Sequence, residues 1–114
     1  MLVPSSIPTK ILSRPVMVWV LFPAIETEDP NINYYYDFSQ SVNEYTDVFN
    51  NLGLEWKWQA VKMNNLDKVI KQIEDDLTQY TPVVLNLCDG DEINGAPGIS
   101  VVNQLKKRGL IFTG

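Results

Sequence analysis

The sequence predicts an α/β fold: a small parallel sheet of about four strands with helices on both faces. Three observations carry this expectation. Two stretches, residues 16–22 and 82–88, are apolar with scarcely a polar interruption, as in strands covered on both sides. Three other segments repeat their apolar residues every three or four positions, the period of a helix packed on one face. The two kinds of segment alternate along the chain, and alternation implies parallel strands joined by right-handed crossovers. At 114 residues the chain makes one domain, large enough to bury a core without staples.

Residues 1–13 hold Pro4, Pro8 and no sustained period, and read as a flexible lead-in to a single domain over residues 14–114. Residues 16–22 form the first strand, which Pro23 stops. A long loop follows, breaking all periodicity through Glu26, Glu28, Asp29 and Pro30 before reaching Tyr34, Tyr35 and Tyr36. Loops of this length inside a compact domain are often functional, so the tyrosines are either a stacking platform or packing over the sheet edge. Two capping boxes, Asp37 to Gln40 and Ser41 to Glu44, place the start of the first helix. Val42, Tyr45, Val48, Phe49 and Leu52 form its apolar stripe, and Gly53 ends it.

Residues 54–61 alternate Leu54, Trp56, Trp58 and Ala60 with more polar neighbours, the pattern of a half-buried strand near an edge. Asn64 or Asn65 then caps a second helix with Leu66, Val69, Ile70, Ile73 and Leu77 inward. Its other face, including Glu74, Asp75 and Asp76, is expected to be solvated. Residues 82–88 form the central strand. An acidic, glycine-bearing loop leads to a third helix with a stripe of Ile99, Val102 and Leu105, ended by Gly109. Leu110, Ile111 and Phe112 open a fourth strand. The whole reads as a half-Rossmann unit.

The net charge of −5 argues against nucleic acid and anionic membrane surfaces as partners. No apolar run approaches the ~20 residues needed to cross a bilayer. Residues 16–24 could serve as a signal's apolar core, but acidic Glu26 and Glu28 follow in place of a small-x-small cleavage site, which favours a cytoplasmic chain. The single cysteine, Cys88, excludes an intrachain disulfide and reads as a core filler. There is no histidine, which removes serine–histidine triads, histidine acid–base work and most zinc sites.

No dinucleotide fingerprint follows the first strand, and there is no phosphate loop with Lys-Ser/Thr. Asp89-Gly90-Asp91-Glu92 invites a calcium reading but lacks the spaced acidic pattern. Ligands in open α/β sheets sit beyond the carboxyl ends of the strands. Asp89 lies at such an end, where it can cap the turn and also hold a ligand's ammonium group; Gly90, Gly95 and Gly98 supply the unusual dihedrals.

Residues 84–90, Val84-Leu85-Asn86-Leu87-Cys88-Asp89-Gly90, precede a glycine-bearing gap and then residues 101–114, which end Gly109-Leu110-Ile111-Phe112-Thr113-Gly114. This pattern resembles the amino-terminal, pre-ATP-grasp domain of the D-alanine–D-alanine ligase-like ATP-grasp family. There the matching strand ends in a His-Gly or acidic-Gly turn, and the helix leads to Gly-Ile-Pro-Tyr-Thr-Gly. Pro23-Ala24-Ile25-Glu26 stands where the ligases carry a Gly-Gly-x-Ser-x-Glu-like turn. The resemblance implies a substrate-side domain of a carboxylate–amine ligase, not competent alone, with Glu26, Asp89 and Gly90 as its substrate-binding residues. It implies no cofactor in this chain; ATP and magnesium belong to the carboxyl-terminal ATP-grasp domains of a longer parent, which would be its partners together with an amino acid or peptide substrate. A homodimer is left open. The other reading of the chain is a stand-alone, non-catalytic module that binds through Tyr34, Tyr35 and Tyr36.

Overall fold

The computed structural model describes residues 14–24, 39–90 and 92–114, with Ser39 and Asn94 by their backbone alone. The residues form one four-stranded, all-parallel sheet. In chain order the strands are β1 (Val16–Pro23), β2 (Glu55–Val61), β3 (Thr81–Asn86) and β4 (Ile111–Thr113), and across the sheet they run β2-β1-β3-β4. Helix α1 (Ser39–Leu52) joins β1 to β2. Helix α2 (Leu66–Asp75) and a 3-10 turn (Asp76–Thr78) join β2 to β3, and helix α3 (Ile99–Lys107) joins β3 to β4.

The chain steps one way from β1 to β2, then passes back over β1 to β3 and on to β4. Right-handed crossovers therefore put α1 on one face and α2 with α3 on the other. Alternation along β1 feeds both layers. Met17, Trp19 and Leu21 join Val61, Val84, Val69, Ile70, Ile73, Val101 and Leu105 on the two-helix face. Val18 and Val20 meet Phe49 of α1 on the other, with Tyr45, Trp56 and Trp58 packed around them. Trp58 stacks on Phe22 at 4.7 Å between ring centroids, so the tryptophan pair is sheet-face packing.

Helices α1 and α3 both end in a Schellman turn. Gly53 N–H donates to Asn50 O and Leu54 N–H to Phe49 O; Gly109 N–H donates to Lys106 O and Leu110 N–H to Leu105 O. Both glycines have positive φ, 69° and 66°. No helix among the described residues is long and apolar enough to cross a membrane.

Several local expectations are corrected by packing. Helix α1 does start at Ser39, within the first of the two capping boxes, while Glu44 of the second accepts a hydrogen bond from Gln40 one turn earlier. Only Phe49 of its stripe is buried; Val48 and Leu52 are exposed. Pro23 is the last residue of β1, not the residue after it, and Ala24 N–H continues the ladder to Val61 O at 2.9 Å. Asn65 precedes α2 without a side-chain cap, because its Oδ1 is taken by the Lys62 N–H at 2.7 Å. Leu77 falls in the 3-10 turn and is exposed. Asp76 is not simply solvated: the buried Trp19 indole N–H needs an acceptor and donates to Asp76 Oδ2 at 2.8 Å.

The central strand is also less enclosed than its composition suggests. Pro82, Val84 and Asn86 are buried, while Val83 and Leu85 on the α1 face are only half-buried. The reason is that α1 packs over β1 and β2, against Trp56 and Trp58, and no described helix covers β3 and β4 on that side. In α3 the inward residues are Val101 and Leu105, with Ile99 64% exposed. Leu105 is inward as its spacing predicts, but Val101 takes the buried place expected of Ile99 and Val102.

Candidate functional site

Strand order reverses between β1 and β3, the switch point beyond whose carboxyl ends open α/β sheets place their ligands. The two strands lie side by side there. Val20 is opposite Leu85, Leu21 is opposite Asn86, and Leu87 N–H donates to Leu21 O at 2.8 Å. On the β3 side the cleft measures about 390 Å³ and is lined by Asn86, Leu87, Cys88, Asp89 and Gly114. Beyond β4, Gly114 abuts β3: a Cβ on it would lie 2.6 Å from Asn86 O.

Among the described residues Asn86 is the one buried polar side chain. Its Oδ1 accepts the Cys88 N–H at 3.0 Å, which holds the strand end in an Asx turn. Its Nδ2 group has no partner among the described residues, and no fully buried side-chain nitrogen or oxygen among them is left unpaired. The amide hydrogens are therefore on the accessible side of this otherwise buried side chain. Asp89 follows three residues later and is exposed. Among the described residues no basic side chain lines the cleft. One donor and one carboxylate face a mostly apolar wall.

The Cys88 thiol cannot act as a nucleophile near neutral pH. Burial, and then the neighbouring Asp89 carboxylate, push it up to about 12. The absence of histidine removes a base that could activate it. Among the described residues no group of three His, Cys, Asp or Glu side chains could hold a metal ion, and Asp91 of the acidic stretch lies outside them.

The loop after Asp89 is closed on itself. Gly90 N–H donates to Pro97 O at 2.9 Å, and a Cβ on Gly90 would sit 2.5 Å from the Ala96 Cβ. A Cβ on Gly98 would fall well inside contact distance of Gly90 O. Glu92 closes the ring from the other side. Its Oε2 accepts the N–H groups of Gly98 at 3.0 Å and Ser100 at 2.9 Å, and its Oε1 accepts the Ser100 hydroxyl at 2.7 Å. These are the donors that the first turn of a helix leaves unpaired, so Glu92 caps α3 from a distance. A phosphate would have to displace this carboxylate, and Glu92 is engaged, not waiting as an acid–base partner for Asp89.

The hydrogen bonds from the Ser100 hydroxyl, then from the Ser100 and Gly98 N–H groups, hold the Glu92 carboxyl below the usual range. A group whose value is lowered on folding stabilises the fold fully above its unfolded value and loses that contribution as pH falls through the folded one. Glu92→Gln is accordingly expected to lower the thermal midpoint at pH 7. It should also flatten the acid limb of stability between the ordinary glutamate range and lower pH. Melting curves of both proteins across that range check this; superimposable acid limbs would remove Glu92 as the loop's anchor.

Of the residues predicted to bind substrate, Asp89 lies in the cleft wall. Gly90 is adjacent, but its N–H is spent within the loop, so its part is to shape the turn. Glu26 and the three tyrosines lie outside the described residues. Asn86 was not foreseen as a site residue. Its signal was present, since it is the only polar side chain in residues 82–88. Compared with known proteins, the chain matches no family model, no curated protein and no solved structure.

Proposed function

We propose that this domain is the amino-terminal, substrate-side unit of a cytoplasmic, ATP-dependent carboxylate–amine ligase of the D-alanine–D-alanine ligase type, not competent alone. What supports the reading most is the pairing of Asn86 and Asp89 in the cleft at the switch point, on the stretch that carries the resemblance. Asp89 accepts the ammonium group of an amino acid or peptide in a charge-assisted hydrogen bond. Asn86 Nδ2 donates to the ligand's carboxylate or carbonyl oxygen. The Leu87 and Cys88 wall leaves room for a small side chain. In that family ATP and magnesium supply the activation of a carboxylate toward an amine. Those groups are assigned to further domains of a longer protein, in keeping with the occupied α3 amino terminus.

An NMR titration of the 114-residue chain tests this. D-Alanine or its dipeptide should shift the amides of residues 86–90 saturably, and Asp89→Asn should abolish the shift. Magnesium-ATP should leave the spectrum unchanged. Saturable binding of the nucleotide would refute the absence of a nucleotide site. No response to amino acids or dipeptides, or one confined to Tyr34, Tyr35 and Tyr36, would refute the substrate-side role.

A further inference from the structure

Strand β2 stands at the end of the sheet, so only one of its sides is paired among the described residues. The register determines which backbone groups are spare. Ala24 N–H donates to Val61 O, so Val61, and with it Gln59, Lys57 and Glu55, turn their backbone groups toward β1. The alternate residues Leu54, Trp56, Trp58 and Ala60 turn theirs outward. Two of these are partly used. Leu54 N–H donates to Phe49 O, and Ala60 O accepts from Gln59 Nε2 at 2.9 Å and Asn65 Nδ2 at 3.4 Å. The outward groups of Trp56 and Trp58 have no partner among the described residues.

We infer that this edge joins two copies of the chain, their β2 strands antiparallel about a two-fold axis at Trp56. A closed two-fold contact brings identical edges together in opposite directions, and outward residues pair only with outward residues. Three registers centre on the open stretch. With Trp56 opposite Trp58 of the second copy, Lys57 faces Lys57. With Trp58 opposite Trp58, Trp56 must pair with Ala60, whose carbonyl is already engaged. With Trp56 opposite Trp56, Glu55 faces Lys57 of the second copy twice over, and Leu54 lies opposite Trp58.

Only the last register combines an open central Trp56 pair, two attractive charge pairs and apolar cross-strand neighbours; the Leu54 N–H stays with Phe49 O, so each Leu54–Trp58 pair keeps one bond, from the Trp58 N–H to the Leu54 carbonyl. The strand is its own complement, which is why a second copy is the occupant. Lys57 is placed for it. Its ammonium lies 4.5 Å from the centroid of the Trp19 ring and 3.8 Å from Asp76 Oδ2, yet the side chain keeps 47% exposure.

A lone lysine on an edge strand can also serve to prevent pairing, and the two roles predict opposite results. Sedimentation velocity of the full chain over a concentration series should find a reversible dimer. Glu55→Lys and Lys57→Glu should each weaken it on the order of tenfold or more, because two attractive pairs become repulsive. The double exchange should restore it. Amide exchange at Trp56 and Trp58 should slow as wild-type concentration rises, a readout that stands even if a single variant fails to fold. A monomer at every concentration, a dimer indifferent to both substitutions, or stronger association of Lys57→Ala would overturn the inference. None of these readouts depends on what the cleft binds.

Discussion

Gly98→Ala is expected to destabilise the fold by roughly 2–4 kcal/mol, read from the midpoint of urea unfolding at constant slope. The added methyl group meets the Gly90 carbonyl, which is backbone, not the movable tip of a side chain. Gly90 cannot simply retreat. Its N–H is bound to Pro97 O, and Ala96 and Pro97 behind it are fully buried. Relief would require opening the ring between Asp89 and α3, with loss of the Glu92 cap. Gly53→Ala is the control: nothing lies within 4 Å of its Cβ, so only the cost of a positive φ is felt, about 1 kcal/mol. Equal effects at the two positions would mean that the loop is not packed glycine against glycine.

Leu105→Ala should cost about 2–5 kcal/mol, whereas Ile99→Ala in the same helix should stay within about 0.5 kcal/mol. Leu105 is fully buried against the two-helix face, while Ile99 is 64% exposed at the first helical position. A domain of this size is stable by only ~5–15 kcal/mol, so the first substitution removes a large fraction of the margin. Chemical denaturation of the two variants side by side checks the helix phase directly. A costly Ile99→Ala beside the costly Leu105→Ala would restore the stripe of Ile99, Val102 and Leu105 drawn from periodicity alone.

Ile99 marks where reading the chain locally stops working. Ile99, Val101, Val102 and Leu105 crowd four apolar residues into seven positions, which fits two helical faces about equally. The choice belongs to the sheet. The path from β3 through the closed loop sets the angle at which α3 arrives, and that angle turns Val101 and Leu105 inward. The same holds for β3. An apolar run announces a central strand, but how far each face is covered depends on where α1 lands, and α1 lands on β1 and β2.

What the sequence determined by itself is the succession of strands and helices, the glycine-ended helices and the parallel sheet. These depend on periods and turn residues that act within a few positions of one another. The cleft was decided by tertiary structure: Asn86 and Asp89 beside the end of β1, Glu92 on the α3 amino terminus, and Gly90 against Gly98. Each of those contacts needs β1 and β3 to be neighbours or the loop to close across several residues. No local pattern encodes such a meeting, because it is the packing of distant segments that brings the groups within hydrogen-bond reach.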